Sequence, residues 1–364
     1  MRQLEKKLKV GILGGTGMVG QRFISLLENH PWFEVVTIAA SARSAGKTYK
    51  DAVGARWKMA TPMPDAVKEI KVMDVSDVEA VAATVDFVFS AVDMTKEEIK
   101  AIEEAYAKTE TPVVSNNSAH RWTPDVPMVI PEINIDHFDV IKFQKERLGT
   151  KNGFIAVKPN CSIQGYVPAL AAWKEYEPYE VVATTYQAIS GAGKTFAEWP
   201  EMVENIIPYI GGEEEKSELE PLRILGHLEN GEIAPAKEPI ITCQCVRVPV
   251  LNGHTAAVFV KFRKKPTKEQ LEAKLREFVG FPQEHQLPNA PKQFIQYMIE
   301  EDRPQVKLDV DVERGFGVSI GRLREDTVYD FKFIGLAHNT VRGAAGGAVL
   351  CAESLVELEY INHK

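Results

Sequence analysis

Lys9-Val10-Gly11-Ile12-Leu13-Gly14-Gly15-Thr16-Gly17-Met18-Val19-Gly20 is the stretch on which the fold turns. Lys9 to Leu13 reads as a buried strand and the glycines as the loop after it. Val19, Phe23, Leu26 and Leu27 then share one face at helical spacing, so a helix follows. Gly15, Gly17 and Gly20 fit G-x-G-x-x-G, in which missing side chains let the backbone approach a pyrophosphate at a helix N-terminus. A plain glycine turn would spell the same letters. The position between a first strand and a first helix favours a dinucleotide site, with Gly14, Thr16, Gly17, Met18 and Val19 as candidate contacts.

Working outward, Val35 to Ala40 reads as a second strand ending in Ser41-Ala42-Arg43-Ser44-Ala45-Gly46-Lys47. A site for NAD places Asp or Glu here to take the ribose 2′-hydroxyl, whereas a 2′-phosphate wants hydroxyls and a guanidinium. Ser41, Arg43 and Ser44 supply the second set, so NADP is the expected cofactor; a solvated polar loop is the bland alternative. Further strands are expected at Ile70 to Met73, Val85 to Ser90 and Val113 to Ser115. A helix is expected from Thr95 to Lys108, opened by a Thr95/Glu98 capping box. Strands alternating with helices imply α/β architecture, a Rossmann-type doubly wound parallel sheet. The segment from Ser115 to Arg121 leaves a strand's carboxyl end, where such sheets bind ligands, and Arg121 is a candidate anion contact.

Lys158-Pro159-Asn160-Cys161-Ser162-Ile163-Gln164-Gly165 carries the chemistry. An apolar strand, Phe154 to Val157, runs into a Pro-Asn turn, and a helix-compatible run from Gln164 to Trp173 follows. Cys161 is therefore expected beside a helix N-terminus, where unpaired N–H groups and the dipole would lower its thiol pKa and make it a nucleophile. A buried, inert cysteine is the competing reading.

A length of 364 residues favours two domains, and 45% hydrophobic with 26% charged residues is ordinary for a folded soluble protein. A net charge of −8 without a basic block argues against nucleic acid as a partner. Four scattered cysteines point to a reducing compartment, read as cytoplasmic, and Cys243-Gln244-Cys245 reads as structural, so no metal site is expected. The basic N-terminus precedes only a short, glycine-broken apolar segment, so neither a signal peptide nor a membrane span is expected.

After Cys161 the pattern changes. Strands are expected at Val181 to Gln187, Ile241 to Val248, Ala256 to Phe262, Phe294 to Ile299, Val318 to Leu323 and Phe331 to Leu336, giving an α+β domain with a mixed or largely antiparallel sheet. Thr267 and Gln270 mark one helix start. The run from Thr340 through Glu357 reads as a last helix returning to the first domain, so boundaries of 1–158 with 339–364, and 159–338, are expected. Three clusters could serve Cys161. Gln187 to Gly193 ends a strand in a glycine-rich loop, Glu213-Glu214-Glu215-Lys216 opens a helix, and Arg247 to His254 joins two strands by a turn that places both side chains on one rim.

Together, Gly14 to Phe23, Ala40 to Lys47, Pro159 to Ser162, Gln187 to Gly193, Arg247 to His254 and His338 to Gly346 resemble the aspartate-semialdehyde dehydrogenase family, in its archaeal and fungal branch. The resemblance implies NADPH-dependent reductive dephosphorylation of L-4-aspartyl phosphate through a Cys161 thioester. It implies that His254 is the acid/base, that Gln187 orients the acyl group and that Arg247 holds the substrate carboxylate. It also implies that Glu213 receives the amino group, while Arg121, Asn116 and Lys216 surround the phosphate. Ser190, Gly191 and Asn339 correspond to positions on the nicotinamide half, and Ser90 joins the cofactor set. A homodimer or dimer of dimers is implied as well. Lys194 and Ile163 depart from the pattern and leave the pocket's shape open. A malonyl-CoA reductase, an N-acetyl-glutamyl-phosphate reductase or a non-catalytic nucleotide-binding regulator remain alternatives at this point.

Overall fold

The computed structural model describes residues 4–364. The first half builds a parallel sheet of six strands: β1 (Leu8–Leu13), β2 (Phe33–Ala40), β3 (Met73–Asp74), β4 (Phe87–Ser90), β5 (Val113–Ser115) and β6 (Ile155–Val157). Their spatial order, β3-β2-β1-β4-β5-β6, reverses direction between β1 and β4, the crevice where such sheets take ligands. The glycine loop leaves β1 there. Gly14 has φ +79° and lies so close to Ala91 that a methyl would sit 2.2 Å from its carbonyl oxygen; only glycine fits. The helix Lys96–Lys108 starts with the expected capping box at Thr95 and Glu98. The expected strand at Ile70 to Met73 is displaced to Met73–Asp74, because Ile70 and Val72 are spent on the turn around Lys47 and Tyr49.

The second half contains β7 (Pro178–Gln187), a small hairpin of β8 (His227–Glu229) and β9 (Glu232–Ala234), then β10 (Ile240–Arg247), β11 (His254–Phe262), β12 (Ile295–Tyr297), β13 (Val318–Glu325) and β14 (Phe331–Ala337). Apart from the hairpin these form one mixed sheet in the order β10-β7-β11-β14-β13-β12. β10 runs parallel to β7, and β12 to β13; the other neighbours are antiparallel. Strict alternation along β11, with Ala256, Val258 and Val260 buried and Thr255, Ala257 and Phe259 half-buried, gives this sheet one core face and one outer face. The helix Lys268–Glu277 is capped by Thr267 and Gln270 as the sequence indicated.

Two close approaches couple the halves. The short 3₁₀ turn Ser162–Gly165 rests on β14, where a methyl on Gly335 would lie 1.7 Å from the Gly165 carbonyl oxygen. The last helix, Gly346–Glu357, is buried along nearly all its length and packs Ala348, Val349, Ala352 and Leu355 into the same core as Val10, Ile12, Phe23 and Phe89. It begins later than the expected Thr340, because Val341–Ala345 form a π turn with a non-helical Ala344. Among the described residues no helix is long and apolar enough to cross a membrane.

Candidate active site

The carboxyl ends of the parallel strands and one end of the mixed sheet face each other across a cavity of about 180 Å³. Met18 and Val19 come from the first helix, Asn116 and Arg121 from the segment after β5, and Cys161 from the turn after β6. Ser190, Gly191 and Asn339 close it from the other half, so eight of the expected residues share one cavity lining. Neither Lys194 nor Ile163 lines it. Lys194 is exposed and lies over the Trp199 ring, while Ile163 is buried core, so both departures leave the cavity itself untouched.

Sheet register explains how Gln187, Arg247 and His254 meet. Gln187 closes β7 directly opposite Arg247 of β10, and His254 opens β11 on the other side of β7. The segment from 248 to 253 is thus a crossover past β7, not the simple turn expected, yet it brings both side chains to one rim. His254 Nε2 lies 3.4 Å from Cys161 Sγ, and its Nδ1 accepts the Ala188 N–H at 3.0 Å. Arg247 donates to the Ala188 carbonyl at 2.7 Å, so the backbone of one residue fixes imidazole and guanidinium together. A methyl on Gly191 would meet Arg247 Nη1 at 3.0 Å and His254 Nε2 at 3.2 Å, which shows how closely that loop covers both.

Behind the thiol, Asn160 accepts the Cys161 N–H at 2.8 Å through Oδ1 and donates Nδ2 to Glu213 at 2.8 Å. Glu213 also accepts Gln187 Nε2 at 3.3 Å and pairs with Lys216 at 2.8 Å. Burial pushes the Glu213 carboxyl up, but Lys216, Asn160 and Gln187 outweigh it and hold the group ionised below its ordinary range. Arg121 pairs with Glu220 at 2.9 Å and donates to the carbonyls of Lys158 and Asn116. Asn116 Oδ1 is buried without a hydrogen-bond partner among the described residues, an acceptor left over at the cavity wall.

The expectation of a low thiol pKa is overturned. Burial and then the nearby Glu213 carboxylate push the Cys161 thiol up, against Lys158, Arg121 and Arg247, which pull it down. The turn that Cys161 caps is only four residues long, so there is no long helix whose dipole could outweigh desolvation. Ser90, expected on the cofactor, lies outside the cavity lining. Its side chain is fully buried at the end of β4, bonded to Asn117 within the Glu103 network, and supports the loop from beneath. His254 differs in part: burial and Arg247 lower its pKa to about 3, and the Ala188 N–H occupies Nδ1. The neutral ring therefore carries its proton on Nε2, toward the sulfur, as a donor.

The glycine loop suits a dinucleotide on structural grounds. Gly17 precedes the helix Met18–Leu26 with no side-chain cap, and a methyl there would meet nothing nearer than the Gly14 carbonyl oxygen at 3.5 Å. Met18 and Val19 of the first turn line the cavity, where an anion could meet their N–H groups. Thr16 flanks that opening, and its carbonyl is held by Gln21. At the end of β2, Ser41 and Arg43 are exposed, Arg43 has no hydrogen-bond or ion-pair partner among the described residues, and Ser44 is buried in the turn. Asn339 donates to Ser190 at 2.8 Å and accepts the Gly253 N–H at 2.8 Å, fastening the cavity's far wall.

Comparison with known proteins gives the same answer over nearly the whole chain. Residues 9–141 match the family described as "Semialdehyde dehydrogenase, NAD binding domain", and residues 170–342 match "Semialdehyde dehydrogenase, dimerisation domain". The aspartate-semialdehyde dehydrogenase of Methanothermobacter thermautotrophicus is 41% identical across 96% of this chain and 99% of its own. That of Schizosaccharomyces pombe is 42% identical, across 96% and 98%. The chain belongs to the aspartate-semialdehyde dehydrogenase family. A crystal structure of the family enzyme from Candida albicans with NADP superposes with a TM-score of 0.87 at 39% identity, over 98% of this chain and 100% of that one. A Vibrio cholerae aspartate semialdehyde dehydrogenase II complexed with ASA gives 0.74 at 25% identity, over 97% and 99%. None of these dehydrogenases favours the acyl-CoA reductase or regulator alternatives.

Sequence reasoning missed several residues at this dehydrogenase-family site. Lys158, Thr340 and Gly343 all line the cavity, and Ala188 orients His254. Lys158 had a visible signal, a charged residue at the inner end of an apolar strand. Ala188 had none, because its contribution is a backbone N–H.

Proposed function

We propose that the chain reduces L-4-aspartyl phosphate to L-aspartate 4-semialdehyde with NADPH, through a thioester on Cys161. The carrying observation is Cys161 Sγ at 3.4 Å from His254 Nε2, in a cavity whose opposite wall is the start of the glycine-loop helix. In the forward direction the sulfur attacks the acyl carbon, a C–S bond forms and the C–O bond to phosphate breaks. NADPH, when bound, supplies the hydride that releases the aldehyde and the free thiolate. His254 Nε2–H donates to the sulfur and to oxygen charge developing beside it. Arg247, with one edge fixed on Ala188, offers its remaining donors to the substrate carboxylate. Glu213 holds Asn160 and Gln187 around the acyl group and presents negative charge to the amino group, while Arg121, Asn116 and Lys216 serve the phosphate.

For the cofactor, Gly14, Thr16, Gly17, Met18 and Val19 would cradle the pyrophosphate, Ser41, Arg43 and Ser44 the 2′-phosphate, and Ser190, Gly191 and Asn339 the nicotinamide half. The cofactor unit comprises 1–158 with 339–364, supported by the last helix sharing a core with β1 and β4; 159–338 form the other unit. That unit pairs two chains into a homodimer, or a dimer of dimers, through the outer face on which Tyr186 and Ile240 are exposed. The match to a dimerisation domain supports this. A cytoplasmic location agrees with four cysteines that form no disulfide.

The test is the reverse reaction, reduction of NADP by L-aspartate 4-semialdehyde followed by absorbance. Strict dependence on inorganic phosphate supports the reading. Dependence on coenzyme A instead points to a thioester reductase, and silence with several aldehydes to a regulator.

A further inference from the structure

Lys158 is buried in the cavity wall, yet neither the glycine loop, the nucleophile's direct contacts nor the acidic cluster accounts for it. It ends the segment that leaves β6, three residues before Cys161. Its ammonium nitrogen makes a single hydrogen bond among the described residues, to the Gly343 carbonyl oxygen. Gly343 in turn lies against the nucleophile: a methyl there would sit 2.6 Å from Cys161 Cβ. The lysine therefore reaches around the Pro159-Asn160 turn and grips the loop that roofs the thiol. Burying an ammonium is costly, so a fold that keeps a lysine here without an ion-pair partner among the described residues gains something from its charge.

We propose that Lys158 is a positioning residue for the nucleophile: its positive charge, anchored on Gly343, is the local counter-charge that admits a Cys161 thiolate inside the cavity. The inference rests on the reading of Cys161 as the nucleophile. The groups facing the pair can be counted. Toward Lys158 these are Arg121 and Glu220, with Cys351 from the last helix. Toward Cys161 they are Glu213, Arg121 and Arg247, and the neutral His254. Arg121 is already neutralised by Glu220, and Glu213 opposes ionisation, which leaves Lys158, ahead of Arg247, to balance the sulfur. Burial, then Arg121, brings the Lys158 pKa down to about 7 while the Cys161 sulfur draws it back up, so ammonium and thiolate each favour the other. In net terms the S–H bond of Cys161 breaks, its proton passes to solvent water, and Lys158 keeps its own. His254, already protonated at Nε2, is not the acceptor.

The experiment is the pH dependence of Cys161 alkylation by iodoacetamide, resolved by peptide mass spectrometry, in the full-length wild type, Lys158→Met, Lys158→Gln and Lys158→Arg. Lys158→Met removes the charge at similar volume and is expected to fold, since apolar replacement of a buried charge is often neutral. The proposal expects the alkylation midpoint to rise by at least about one pH unit in Lys158→Met and Lys158→Gln, roughly tenfold slower labelling at fixed pH. Lys158→Arg should stay at or below the wild-type midpoint. Gln keeps a donor without the charge, so a Gln midpoint equal to wild type, with or without a folded Arg variant, would overturn the proposal. The readout is separate from turnover. Wild-type protein inert toward aspartate semialdehyde would defeat the functional reading while leaving the alkylation shift to be judged by itself.

Discussion

The backbone N–H of Ala188 donates to Nδ1 of His254 at 3.0 Å. That bond leaves the neutral imidazole one place for its proton, Nε2, which faces the Cys161 sulfur. The histidine is thus set up as a donor before any substrate arrives.

It follows that His254 does not become a cation at working pH. Burial and Arg247 hold its pKa at about 3, so in protein labelled with ¹³C-histidine its resonance, assigned by its loss in His254→Gln, should show no titration between pH 8 and 5. A midpoint near the ordinary histidine value would contradict the donor assignment.

The same burial couples stability to pH. His254 at about 3 and His338 at about 4 both lie below their unfolded value of roughly 6.5, so the unfolded chain binds more protons between these limits. Their contribution is fully present above about pH 6.5 and is lost as pH falls, at up to about 1.4 kcal/mol per pH unit for each histidine. Denaturant unfolding at pH 7, 6 and 5 should show the decline. His338→Gln should flatten it, because the glutamine cannot take up the proton; an unchanged slope would remove His338 from the account.

Gly343→Ala would place a methyl 2.6 Å from Cys161 Cβ and 3.0 Å from its Cα. Displacing a nucleophile by that much is expected to cost about a hundredfold in turnover, with slower alkylation of Cys161 as well. Gly17→Ala, whose methyl would point into open space at the helix start, should weaken NADP binding and leave Cys161 alkylation unchanged. Equal behaviour of the two variants would show that the glycines are not separated into thiol and cofactor roles.

Arg43 is exposed at the end of β2. If it meets the 2′-phosphate, Arg43→Ala should reduce the preference for NADP over NAD by roughly tenfold to a hundredfold, the worth of one charge-assisted hydrogen bond. Michaelis constants for both cofactors measure this directly, and an unchanged ratio would move the discrimination elsewhere.

The sequence made legible what depends on local pattern. The capping boxes at Thr95 and Thr267 and the strand Val113–Ser115 needed only short-range rules, and the structure carries them unchanged. Met73–Asp74 escaped because two-residue strands have no periodicity. The convergence of Gln187 with Arg247 and His254 was visible only as two separate clusters, because it is β7 lying between β10 and β11 that joins them. The thiol pKa was misjudged for a reason the letters hide: desolvation depends on what surrounds Cys161 in space, including Glu213, fifty-two positions away. Ser90 has the right position on its strand, yet its hydroxyl joins Asn117 in the Glu103 network beneath the sheet, a direction that spacing alone does not supply.

The central claim is that Cys161 forms the thioester, and one measurement reaches it most directly. Wild-type protein mixed with L-aspartate 4-semialdehyde and NADP, without phosphate, should release close to one equivalent of NADPH in a burst and stop. Peptide mass spectrometry should then find an aspartyl group on Cys161, and added phosphate should clear it and restart turnover. Continuous NADPH formation without phosphate, or a burst with the acyl group on any other residue, would contradict the account.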